Sequence, residues 1–207
     1  MTPHRVGRRT VEDALAVAAG IEGWMTAEQG RRLFAAAARC RPGGQIVEIG
    51  SFRGRSIVVM ASAAPPDVGV VAIDPHAGTD RGPQEIAGFA AEADDDHRAF
   101  VANLAAAGVA DRVRHVRAFS DEAHAAVHGT IDVLYIDGAH RYAPARADLA
   151  GWRARVADGG TLLIHDAFSS IGVTLAILRA WLPDRRFRYV ARPRSLVEYR
   201  ADLRAGG

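Results

Sequence analysis

The spacing of apolar positions changes character along the chain. Between Thr10 and Cys40 apolar residues recur at helical intervals, so "TVEDALAVAAG" and "TAEQGRRLFAAAARC" read as two helices. Thr10 and Thr26 are their expected N-caps, with Asp13 and Gln29 at the third position after each. "RPGG", residues 41–44, closes this prelude. Beyond it, short β-branched runs alternate with helical patterns. "QIVEIG", "VGVVAID", "RVRHVRA", "IDVLYID" and "GTLLIHD" read as strands. "GRSIVVMASAA", "DDDHRAFVANLAAAG", "DEAHAAVHG", "YAPARADLAGWRARV" and "GVTLAILRAWL" read as helices, the second with an acidic first turn at Asp94–Asp96 and the last ended by Pro183. "RFRYVARPRSLVEYRA" supplies two closing strands. The pattern predicts an α/β fold: a mostly parallel seven-stranded sheet with a C-terminal antiparallel hairpin and helices on both faces. Residues 1–207 are expected to form one domain, with 1–44 as a helical prelude and 45–207 as the core. The one long irregular stretch, His76–Asp94, has the length of an active-site lid.

Composition narrows the function classes. Hydrophobic residues make up 49% and charged residues 24%, a globular balance. The 26 basic residues are scattered and nearly matched by 24 acidic ones, and no aromatic-basic signature accompanies them, so no nucleic-acid partner is expected. No apolar run reaches the length of a membrane span, and "MTPHRVGRRT" lacks an apolar signal core. Cys40 is the only cysteine and has no partner within the chain, which suits a reducing, cytoplasmic setting.

In an open parallel sheet, ligands bind beyond the carboxyl ends of the strands. The unusual polar residues fall there: Glu48, Asp74, Ser120, Asp137, His140, His165 and Asp166. "VEIGSFRGRS" is a glycine turn between strand and helix, but Ser51 and Phe52 do not supply the middle glycine of a dinucleotide fingerprint. Glu48, just before the turn, would repel phosphate and suits an ammonium group. Asp74 can accept both hydroxyls of a ribose. Together they describe a ligand with a ribose, a cationic tail and no phosphate, and S-adenosylmethionine fits. Asp137, His165 and Asp166 end two strands that, if adjacent, lie about 4.8 Å apart. Two carboxylates suit Mg²⁺, and the imidazole makes a transition metal more acceptable. For any one of these acids alone, a helix cap is the commoner role.

"VEIGSFRGRS", "VVAIDP", "IDVLYIDGAH" and "GGTLLIHDAF" together resemble the first, second, fourth and fifth motifs of class I S-adenosylmethionine-dependent methyltransferases. With "GWMTAEQGRRLFAAAA", the set is similar to the branch containing macrocin O-methyltransferases and cephalosporin-hydroxylase-like proteins, over roughly residues 22 to 182. The resemblance implies the Rossmann-like fold of that class. It implies Gly50, Ser51 and Ser56 in the glycine loop under the methionine part, Asp74 on the ribose and Ser120 near adenine, with Glu48 and Asp137 completing the cofactor contacts. It also implies a divalent ion, Mg²⁺ first, on acids at the two strand ends, with His165 standing where an acid or amide is usual. Methylation of oxygen needs a nucleophilic hydroxyl, and a metal and a base together can provide one. His140, in the turn after Asp137, is the expected general base. The expected acceptor is a hydroxyl of a sugar or glycosylated small molecule, and the expected assembly a homo-oligomer, a dimer first. Catechol or phenol methylation, a metal-dependent oxygenase on the same fold, a dinucleotide oxidoreductase and a non-catalytic binding protein are the competing readings. The missing middle glycine and Glu48 oppose the oxidoreductase, and the pairing of Asp137 with His140 opposes a retired site.

Overall fold

A computed structural model describes residues 9–78, 90–181 and 185–202. Two helices, α1 (Val11–Ala19) and α2 (Ala27–Ala38), open it. Thr10 caps α1 by accepting from the Asp13 amide, and Thr26 and Gln29 form a reciprocal capping box at α2. The core follows as β1 (Gln45–Ile49), α3 (Arg55–Ala63), β2 (Gly69–Ile73), α4 (Ala90–Ala106), β3 (Val113–Val116), β4 (Ile131–Ile136), α5 (Tyr142–Trp152), β5 (Val156–Ile164), α6 (Ile171–Trp181), β6 (Phe187–Ala191) and β7 (Val197–Ala201).

The seven strands lie in the order β3-β2-β1-β4-β5-β7-β6. The first five are parallel; β7 runs antiparallel to β5 and to β6, the expected hairpin. Two apolar clusters cover the faces because side chains alternate along each strand. Ile46, Val133, Tyr135 and Leu163 pack with residues of α1, α2, α3 and α4. Val47, Ile49, Leu134, Ile136, Leu162 and Ile164 pack with residues of α5 and α6. The order reverses at β1, which sends β2 to one side and β4 to the other, so the site crevice lies at the carboxyl ends of these strands.

Three local expectations shift. α4 begins at Ala90, so Asp94–Asp96 lie inside it and do not start it. The alanine-rich "AAEA" carries the helix upstream, and Asp94 and Asp96 are used by Arg117 and Arg53. "DEAHAAVHG" forms only a 3-10 turn, Ala123–Ala126. α5 ends at Trp152 and a 3-10 turn follows; "DGG" lies within β5 and does not stop the helix. Of the expected lid, residues 79–89 lie outside the described residues. Among the described residues no helix is long and apolar enough to cross a membrane.

Candidate active site

Asp137 and His165 directly follow β4 and β5, and these strands are paired, with Ile136 opposite Ile164. The His165 amide donates to the Ile136 carbonyl at 2.9 Å and the Asp137 amide to the Ile49 carbonyl at 2.8 Å, so sheet bonding runs on into the site. Asp166 then turns into the left-handed region (φ 51°), as does Phe168 (φ 62°). Non-glycine residues there cost of order 1–3 kcal/mol each, a strain typical of functional turns.

The result is a tight cluster. Asp137, His140, His165 and Asp166 each offer a ligand atom, and these atoms lie within 4.8 Å of one another. His140 Nε2 is 2.7 Å from Asp166 Oδ2. His165 Nδ1 is 3.1 Å from Asp137 Oδ1 and 3.3 Å from Asp166 Oδ2. Neither His165 contact is aligned as an N–H···O bond, and its Nε2 has no partner among the described residues. The charges bias one another strongly. Burial lowers the His165 pKa, but the Asp137 and Asp166 carboxylates override it and push it up to about 10. A hydrogen bond to Asp166 raises the His140 pKa against the opposing effect of burial. In return, His140 and His165 hold the Asp166 carboxyl well below the usual carboxylate range.

Two carboxylates and two imidazoles at this spacing fit a divalent cation, and the imidazoles extend the fit to transition metals. The poorly aligned His165 nitrogen between two carboxylate oxygens is the observation that carries this fit. Asp137, Asp166 and His165 would hold the ion, with His140 at its edge.

The loop bearing Asp137 and His140 is gripped from both sides. Gly50 (φ 84°) sits against it so closely that a Cβ would lie 2.3 Å from the Asp137 carbonyl oxygen. On the other side Ser170 Oγ donates to the His140 carbonyl at 2.9 Å, and a Cβ on Gly172 would lie 2.4 Å from the same oxygen. Sequence reasoning missed Ser170 and Gly172; a serine cap followed by glycine at the second position of α6 was the available signal. It also passed over Tyr135, whose hydroxyl donates to Asp137 Oδ2 at 2.8 Å.

The other expected site residues are arranged around the glycine loop. Asp74 accepts from the Ser51 and Phe52 amides on Oδ2 and from the His76 amide on Oδ1, each at 2.8 Å. It therefore shapes the loop, with room for further acceptance by its lone pairs. Glu48 is fully buried and accepts from Ser56 Oγ at 2.5 Å; its second oxygen has no hydrogen-bond partner among the described residues. Burial pushes its pKa up to about 8. Ser120 gives its hydroxyl to Asp148 of α5. His76 is buried beside His97, His115 and Phe100, with Nε2 2.8 Å from the Phe52 carbonyl, so it packs behind the loop.

A glycine loop leading from β1, an acid after β2 and a polar cluster after β4 and β5, on this strand order, define the Rossmann-like fold of methyltransferases. A family model described as a methyltransferase domain matches residues 47–167, and the chain belongs to that family. Solved structures agree on the fold. The O-methyltransferase NovP is 19% identical with a TM-score of 0.68, covering 85% of this chain and 80% of that one. An O-methyltransferase from Bacillus cereus in complex with SAH is 15% identical with a TM-score of 0.66, covering 93% and 90%. TomG, an O-methyltransferase from Streptomyces achromogenes in complex with SAM, is 16% identical with a TM-score of 0.64, covering 93% and 89%.

Proposed function

We propose that the chain transfers the methyl group of S-adenosylmethionine to a hydroxyl oxygen of a small molecule, with a divalent ion at Asp137, Asp166 and His165. The observation that carries this reading is the packing of the glycine loop, at Gly50, directly on the turn that bears Asp137 and His140. A methyl donor on that loop would lie beside the acid–imidazole cluster. A bound ion supplies Lewis acidity that lowers the pKa of the acceptor hydroxyl.

The chain's own residues supply the rest. Asp74 holds the loop amides in place and offers its remaining acceptor capacity to ribose. Glu48 with Ser56 forms the buried floor of the loop, and the backbone at Gly50 and Ser51 would run under the methionine part. Ser120, anchored on Asp148, borders the adenine side. The acceptor oxygen forms a bond to the methyl carbon as the carbon–sulfur bond breaks; S-adenosylhomocysteine leaves, and the hydroxyl proton passes to Nδ1 of neutral His140, whose Nε2–H donates to Asp166. Asp166, by raising the His140 pKa, makes that imidazole a stronger base.

The acceptor we favour is a saccharide hydroxyl, in keeping with the polar cluster and with the motif resemblance. A phenol is the second reading, favoured by the partly exposed rings of Phe168 and Tyr142, each two residues from a cluster member. Calorimetry with S-adenosylmethionine, then turnover on saccharides and catechols with and without EDTA, tests the proposal. Binding is expected, with activity lost on chelation. His140→Gln is expected to lower turnover by about 10²–10⁴-fold while leaving donor affinity unchanged. Affinity for NAD with none for S-adenosylmethionine overturns the methyltransferase chemistry. Full turnover after chelation overturns the metal alone.

A further inference from the structure

Tyr135 lies at the centre of the sheet, on β4 between β1 and β5, paired with Glu48 and Leu163. It is completely buried. Its ring fills the apolar cluster shared with α1–α4, a task phenylalanine would perform without a polar atom to satisfy. A buried phenol needs a hydrogen-bond partner, and here that partner is Asp137 Oδ2, 2.8 Å away. Residues two apart on a strand share a face, so Tyr135 reaches Asp137 along β4 itself.

The two oxygens of Asp137 are thereby divided. Oδ2 is held by the phenol from inside the sheet, and Oδ1 points to His165 Nδ1 at 3.1 Å. Without the hydroxyl, nothing in these contacts would stop the carboxylate rotating about its last bond. We propose that Tyr135 is a positioning residue for the cation site: its hydroxyl locks Asp137 in the orientation that presents Oδ1 to the cluster. The inference rests on the metal reading above.

Titration of Mn²⁺ into the full chain, followed by calorimetry and by the electron paramagnetic resonance signal of free Mn²⁺, tests this without an acceptor. Outer hydrogen bonds to metal ligands are typically worth about 10–100-fold in affinity. Tyr135→Phe, which keeps the ring, is expected to weaken Mn²⁺ binding by about that factor and to leave S-adenosylmethionine affinity within roughly threefold of wild type. Val133→Ala, on the same strand and face and equally buried, is the control for simple core damage. It is expected to lower the melting temperature and keep wild-type Mn²⁺ affinity. Unchanged Mn²⁺ affinity in Tyr135→Phe overturns the positioning role, as does an equal loss in Val133→Ala. A wild-type chain that binds no Mn²⁺ overturns the metal reading first and this inference with it.

Discussion

Replacing Gly172 with alanine should behave opposite to the usual rule. Near the start of a helix, glycine to alanine normally stabilises by about 0.4–1 kcal/mol, because the unfolded chain loses freedom and the helix gains propensity. At Gly172 the new Cβ would lie 2.4 Å from the His140 carbonyl oxygen, 2.7 Å from the Tyr142 nitrogen and 2.9 Å from the Arg141 carbonyl carbon. All three are backbone atoms, so no flexible side chain can yield. Reaching ordinary contact requires a displacement of roughly 1 Å between α6 and the 140–142 loop. Overpacking of this kind costs about 1–3 kcal/mol, which exceeds the propensity gain, and a net loss of about 1–2 kcal/mol is expected. For a chain of this length each kcal/mol corresponds to about 2–4 °C in melting temperature. The loop carries His140, whose Nε2 stands 2.7 Å from Asp166. A shift of that size breaks the pair, and misplacement by about 1 Å can cost 10²-fold in rate. Thermal unfolding by circular dichroism gives the first quantity. Turnover at saturating acceptor gives the second, and Gly172→Ser should be at least as severe. An alanine variant that melts higher than wild type, with full turnover, would refute the idea that this glycine holds the loop that carries His140.

Two further outcomes follow from buried groups. Burial lowers the His115 pKa to about 4, so between about pH 6.5 and pH 4 the unfolded chain binds a proton that the folded chain refuses. Stability should therefore fall as pH drops through that window. His115 is partly exposed, which limits its share to about 1–2 kcal/mol, and denaturant melts of wild type against His115→Gln at pH 7.5 and pH 5 should show a flatter profile in the variant. Burial, with Asp132 adding to it, raises the Cys40 thiol to about 12. Iodoacetamide at pH 8 should leave Cys40 unmodified in the native chain and label it in guanidinium; rapid native labelling would contradict the burial.

The alternation of period in the sequence was enough to specify the α/β class, a mostly parallel sheet and the closing hairpin. Those features follow from which positions must leave water, and that is written in local spacing. The polar residues at the ends of "IDVLYID" and "GTLLIHD" were legible because acid and imidazole recur at the ends of two apolar strands, where a helix cap accounts for one acid but not for the set. What the linear chain could not express was how contacts between distant segments divide the work. Asp74 looks like a free ribose ligand in sequence, yet three loop amides already bond it, two of them more than twenty residues away. Glu48 reads in sequence as an acid suited to an ammonium group, yet the sheet buries it against Ser56 and burial favours its neutral form. Asp94–Asp96 look like a helix start because the pull of Arg53 and Arg117 is invisible from their neighbours. Gly50 reads in sequence only as part of a glycine turn, and Gly172 carries no signal of its own role, until the fold brings both within van der Waals reach of one loop. Local sequence determines which residues seek water or the core; only the packed chain determines which of the polar ones still have an oxygen or a nitrogen to offer a ligand, because hydrogen-bonding capacity is finite and tertiary contacts use it first.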